Sequence, residues 1–413
     1  MTNNTPAGDR SPRKFQATPA RPAGLAGKVQ LRAGTPDAVL AVVPHMLGFY
    51  PSRSLVVLGL GAQSRVMVTF RYDLPDPADS VLAEDIAEHA GYVLDREHIG
   101  AALLVGYGPA ELVAPVVAST AERLIGSGVQ VHEVLRADGG RYWSMLCDDV
   151  ACCPPDGRSY DPGSHPAAAA MTEAGLPAQP DREALARTIQ RPAGAADRIS
   201  RAALQAQLRL SQLVDLGEAE GDRDPKLRAI RTGRSEIQRA IRLYRRGGSI
   251  DSIEHLAWLA VLAADLRVRD DAWARMDPAH RDDHCRLWID VLRGAALDFV
   301  PAPASLLAFT AWQSGNGALA AMAIERALAA DPGYSMAQLL AGAVNAALPP
   351  SAARMPMSPA AVAASYAPTP PQVRATSRWS RKSGRRRSSR AQRRSKSSRD
   401  RRAGRDRRAG QRA

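Results

Sequence analysis

What the chain lacks narrows it first. Aromatic side chains make up 5% of the 413 residues, with only five Phe, which argues against an aromatic-filled β-sandwich and for close-packed, alanine-rich helices. The longest apolar runs, such as residues 257–266, span about ten residues, well short of the ~20 that a membrane-crossing helix needs. The polar N-terminus has no apolar stretch of the secretory kind. Four cysteines in so long a chain do not make a disulfide framework, so no membrane and a reducing, cytoplasmic setting are expected. There is no Walker-type phosphate loop and no Gly-x-Ser-x-Gly elbow. The carboxylate pairs Asp148-Asp149, Asp270-Asp271 and Asp282-Asp283 fall at turns or helix starts, where acids are ordinary. These absences favour a binding or interaction protein; the alternative is an enzyme or ligand sensor with its site between two domains, near the Cys147–Cys153 segment.

What is present is divided along the chain. A chain of 413 residues exceeds the size at which one core keeps growing, so two folded domains are expected. The net charge of +13 is segregated: from Arg374 to Ala413 eighteen Lys and Arg stand against two acids, while the preceding residues hold 37 basic and 40 acidic groups. The folded part is therefore mildly acidic.

Residues 1–26 read as a disordered Pro/Ala/Arg-rich lead. A mixed-sheet α/β domain is predicted over 27–150. It has short strands at 29–31, 55–60, 66–70, 101–105 and 129–135, an edge at 141–146, a helix that opens at Pro36 in an element ended by Gly48 and Pro51, and helices at 80–94 and 110–125. Thr35 and Pro36 open the first helix as cap and first-turn residue. Residues 151–180 read as a Pro/Gly-rich linker, and 181–348 as an all-α domain. Within that domain Ser235-x-x-Gln238 has the pattern of a helix start, and 249–267 reads as one apolar helix. Residues 304–332 have the small-residue spacing of one tetratricopeptide-like hairpin, which must pack on its neighbours because a single unit cannot bury its own face. The tail 349–413 reads as disordered, and as basic from Arg374.

Several segments together resemble one bacterial family. They are Thr35 to Pro51 followed by Ser54 to Leu60 and Arg71 to Pro75, then Cys147-Asp148-Asp149-Val150-Ala151-Cys152-Cys153-Pro154-Pro155, Val268 to Trp273, and Ala311 to Gly315 with Asp331 to Tyr334. On these the chain is identified as a member of the domain of unknown function 4192 family. The resemblance implies a mixed α/β domain followed by helices, and no activity.

Cys147, Cys152 and Cys153 form the sharpest cluster. Three thiolates with His165 as a fourth donor can close a tetrahedral zinc site, although adjacent cysteines rarely reach one metal. A redox pair of Cys147 with Cys152 or Cys153 is a second reading, and small buried thiols in a structural turn a third. No cofactor is required by any motif, so zinc here is the one metal in view.

Arg269, Asp270, Asp271 and Trp273 form a dense charged segment beside an indole. It suits contact with a polar ligand or a partner protein, and equally a helix end closed by its own ion pairs. Gly106-Tyr107-Gly108-Pro109 reads as a tight turn, since the third glycine of a phosphate fingerprint is missing. His280 and His284 have ligand spacing but lie among surface charges, and His45 reads as a side chain that holds its loop.

In the tail Arg385, Arg386, Arg387, Arg393, Arg394, Arg401, Arg402, Arg407 and Arg408 recur with almost no apolar residue. Arginine there suits non-specific contact with nucleic acid or another polyanion. A solvated charge run, or an out-of-frame reading of GC-rich DNA, would give the same composition.

Overall fold

The computed structural model describes residues 18–20, 35–75, 79–222, 224–352 and 357–366. The strand expected at 29–31, the tail arginines and most of the N-terminal lead lie outside these residues. Within the lead, Thr18–Ala20 forms β1, three residues of backbone pairing against a sheet edge. So short a strand needs no side-chain pattern, and nothing in the local sequence marks it.

Six further strands complete a seven-stranded mixed sheet: β2 (Ser54–Leu60), β3 (Val66–Asp73), β4 (Ala101–Tyr107), β5 (Gln130–Asp138), β6 (Arg141–Ser144) and β7 (Arg158–Ser159). Their order is β1-β3-β2-β4-β5-β6-β7, with β4 and β5 the one parallel pair and every other neighbour antiparallel. The chemistry of the connections sets this pattern. A short turn returns β2 into β3, whereas β4 reaches β5 through the helix α3 (Ala110–Gly126), the length that a parallel crossover requires.

Side-chain alternation then assigns the two faces. Leu55, Val57, Leu104 and Val134 point to one side, where they pack with Ile86, Ala90 and Val93 of α2 (Ser80–Arg96) and with Val113 and Val116 of α3. Gly106 permits the closest approach on that side, because a Cβ there would come within 2.2 Å of Val113 Cγ1. The glycine serves strand–helix packing. On the other face Val56, Leu58, Val105 and Leu135 join a second apolar cluster. That cluster contains Val39, Val43 and Leu47 of α1 (Pro36–Leu47) together with helical residues such as Leu259, Trp288, Leu307 and Trp312. Residues from both expected domains thus share one core, and the described chain up to residue 366 falls in one compact unit. A sheet buried on both faces needs the helices as its second layer.

α1 begins as expected, with Thr35 Oγ1 accepting from the Ala38 N–H at 3.4 Å, and ends at Gly48, whose φ of 84° suits glycine. The stretch expected as a linker is packed. It holds β7 and α4 (Pro166–Glu173), and Ala167 and Ala168 are buried against Ala41 of α1. His45 Nδ1 bonds the Leu176 carbonyl at 2.8 Å, and Tyr50 N–H donates to the Gln179 carbonyl at 3.0 Å. Pro and Gly mark turns correctly here, but the turns are satisfied by long-range partners.

Among the described residues eleven α-helices follow the sheet's last strand: α4, α5 (Arg182–Ile189), α6 (Ala196–Ala219), α7 (Leu227–Arg245), α8 (Ile253–Ala263), α9 (Leu266–Ala274), α10 (Arg281–Arg293), α11 (Pro301–Gln313), α12 (Gly317–Ala330), α13 (Ser335–Asn345) and α14 (Pro359–Ser365). Ser235 lies inside α7, not at its start. The buried stripe Ala229, Ile230, Ile237, Ala240, Ile241 and Tyr244 runs through it, and packing overrides the capping pattern. The apolar helix expected over 249–267 is shorter and divides: Asp265 Oδ1 accepts from the Arg267 N–H at 2.8 Å and starts a new helix, α9. α11 and α12 form the predicted hairpin, with Ala308, Ala311, Ala320 and Ala327 buried.

The segment after α13 closes against α2. His89 bridges the Tyr72 hydroxyl (2.7 Å) and the Asn345 carbonyl (2.9 Å), and Arg96 donates to the Ala346 and Ala347 carbonyls. Among the described residues no helix is long and apolar enough to cross a membrane.

Candidate metal centre

The loop after β6 leaves its larger apolar side chains, Met145, Leu146 and Val150, exposed, and polar contacts shape it. Trp143 on β6 donates its indole N–H to the Pro155 carbonyl at 2.9 Å, and Arg141 donates to the carbonyls of Asp156 (3.0 Å) and Gly157 (2.7 Å). The Trp143 ring is covered by the Arg136 guanidinium, 3.5 Å from its centroid. Gly157 packs on the same ring with φ 74°; a Cβ there would meet the indole at 2.5 Å. Arg158 on β7 donates to the Cys152 carbonyl.

Inside this frame Asp149 makes the turn. Its side chain accepts from the Ala151 N–H at 2.9 Å, and its carbonyl accepts from the N–H groups of both Cys152 (3.0 Å) and Cys153 (2.6 Å). The result brings the adjacent thiols to one place: the Sγ atoms of Cys147, Cys152 and Cys153 all lie within 4.8 Å of one another. Sulfurs around a tetrahedral zinc, with Zn–S near 2.3 Å, sit about 3.8 Å apart, so small side-chain rotations would close the site. Among the described residues this is the single group of three or more metal-ligating side chains so arranged.

Cys152 is exposed, and Cys147 and Cys153 are partly so. The Cys153 thiol is pushed up to about 11, first by its hydrogen bond to Cys147 and then by burial and Cys152. A bound dication inverts that preference and takes the sulfurs as thiolates. His165 does not join them: its Nδ1 accepts from the Ala167 N–H at 3.1 Å and caps α4. The expected fourth ligand is therefore spent elsewhere.

Burial, followed by the nearby Asp37 in the first turn of α1, pushes the Tyr142 phenol up to about 12. Tyr160 stacks edge-on against Tyr142, with centroids 5.9 Å apart. Arg136, Trp143 and Arg158 were not legible as site residues; the one available signal was an indole on a short edge strand just ahead of Cys147.

The second candidate set sits on α9 and is occupied within the chain. Buried Arg269 donates to Asp270 Oδ1 at 2.9 and 2.7 Å and to the Tyr334 hydroxyl at 3.0 Å, while Tyr366 donates to Asp270 Oδ2. Buried Asp271 accepts two bonds from Arg275, at 2.6 and 3.0 Å. Trp273 packs edge-on against Phe309, with centroids 5.3 Å apart. These contacts bind α9 to α13 and α14. The two histidines of α10 and its preceding turn also diverge: His280 Nδ1 meets Asp283 at 3.0 Å, whereas His284 is buried with Nε2 3.3 Å from Arg245. A cleft between β3 and the helices is lined by Met67, Glu97, Ile99, Trp312 and Pro349, and none of the candidate residues lines it.

Fold and loop together define the class: a mixed sheet with helices on both faces and a three-thiol loop beside its last strands. Residues 36–351 match the family described as domain of unknown function (DUF4192), and the chain belongs to that family. No curated protein and no solved structure matches it.

Proposed function

We propose that this protein acts by binding rather than catalysis, and that its defined site is a zinc centre held by the thiolates of Cys147, Cys152 and Cys153. The observation that supports it is the convergence of the three sulfurs within 4.8 Å. Soft thiolates favour zinc over hard cations, and three protein donors leave a fourth vertex for water or a ligand from outside. Zinc would also staple a loop that has no core of its own. Metal analysis with native mass spectrometry on the full-length chain, purified without chelator, tests this. One zinc per chain is expected, lost in Cys147→Ser and in the Cys152→Ser, Cys153→Ser double variant. A wild-type chain that purifies without metal and takes up none when zinc is supplied refutes the reading.

The segregated charge supports one further contact. Sixteen net positive charges from Arg374 onward suit a polyanion such as nucleic acid, bound without sequence preference. Equal binding of duplex DNA at low salt by the full chain and by a chain ending at Gln372 would rule this out.

A further inference from the structure

We propose that the same loop is an oxidation site, in which a peroxide converts Cys147 and Cys152 to a disulfide and thereby ejects the metal. The metal-release part rests on the zinc reading; the disulfide part rests on the sulfurs alone.

The geometry selects the pair. All three cysteines are free, with sulfurs close enough to meet by rotation and a small movement of a loop that no core restrains. Cys152 and Cys153 are neighbours in sequence, and a bond between them would strain the peptide that joins them within one small ring. Cys147 is therefore one member of any unstrained bridge. Of its two possible mates, Cys152 is the exposed one and meets a solvent-borne oxidant first. Cys147 lies within 4.8 Å of it to resolve the product. The Asp149 carbonyl and Arg158 hold the backbone at Cys152 on either side, so the exposed sulfur is presented in a set place.

The chemistry balances without an added reductant or cofactor. The Cys152 sulfur attacks one oxygen of hydrogen peroxide, the O–O bond breaks, and water leaves after protonation, giving a sulfenic acid. The Cys147 sulfur then attacks the Cys152 sulfur and expels a second water. Two thiols lose two electrons and two protons in all, and one peroxide becomes two waters. Zinc stays divalent throughout. A single remaining thiolate, Cys153, cannot hold it, so the metal leaves, and a thiol reductant restores the site.

The test uses full-length protein, loaded with zinc and exposed to stoichiometric hydrogen peroxide. Zinc release is followed with a chromophoric chelator and the bridge by peptide mapping. Zinc release in step with a Cys147–Cys152 crosslink is expected, reversed by dithiothreitol. Cys153→Ser should still form the crosslink. Cys147→Ser should form none and should leave a sulfenic acid at Cys152 that dimedone traps. Retention of zinc by the oxidised wild type overturns the gating, and an intramolecular crosslink persisting in Cys147→Ser overturns the pairing. A chain that never holds zinc fails the preceding section's reading instead, and the crosslink in that metal-free chain decides the thiol pair by itself.

Discussion

His284 gives the sharpest prediction about stability. Its imidazole is buried on α10, 1% exposed, beside Arg245. Burial first, and then the Arg245 charge, push its pKa down to about 4 from 6.5. The unfolded chain therefore takes up this proton near 6.5 and the folded chain only near 4. Folding is favoured by this group above pH 6.5, and that contribution is lost as the pH falls through the window, levelling below 4. Integrating the proton difference gives a loss of about 2 kcal/mol between pH 7 and pH 5 from this one residue. Urea unfolding at pH 7, 6 and 5, in chelator so that metal plays no part, measures it. His284→Gln lowers stability at every pH but should flatten the pH slope by that same ~2 kcal/mol, since the other titrating groups are common to both proteins. Identical slopes for wild type and variant would refute the argument.

Three further outcomes follow from packing and exposure. Gly106→Ala should cost about 1–3 kcal/mol in urea unfolding, because its Cβ meets the fully buried Val113 and overpacked cores relax poorly. Arg96→Ala removes the donors to the Ala346 and Ala347 carbonyls; loss of hydrogen bonds from a charged donor, at ~1.5–3 kcal/mol, should speed amide exchange around residues 345–348 by about tenfold or more. Cys285 has its thiol pushed up to about 12 by burial, so iodoacetamide applied to the native, metal-free chain should label Cys152 and spare Cys285. Equal labelling of the two would contradict that placement.

Much of the architecture was readable because its signals are local. The helical spacing of apolar residues marks α2, the continuous apolar run 101–105 marks β4, and the turn after Leu60 marks the hairpin of β2 and β3. Thr35 and Pro36 announced α1, and the small residues of α11 and α12 announced their hairpin. Readings failed where a distant partner outweighed the local pattern. Ser235 has a capping pattern, yet packing carries α7 through it. The proline-rich stretch before α5 reads as a linker by composition, yet Leu176 is bonded back to His45 of α1, and Gln179 to Gly48 and Tyr50 just after it.

The three cysteines, their spacing and their competing readings were visible in the sequence alone, as was the separation of the basic tail from a mildly acidic body. Composition and short-range spacing are enough for such features. Tertiary structure alone decided that both adjacent thiols turn toward Cys147, that His165 is spent on α4, and that Arg136, Trp143 and Arg158 frame the loop. It also decided that Arg269 and Asp271 are engaged by Tyr334, Asp270 and Arg275. Each of these depends on contacts between residues brought together by the sheet order and by burial of both its faces, and no local pattern encodes which strand lies beside which.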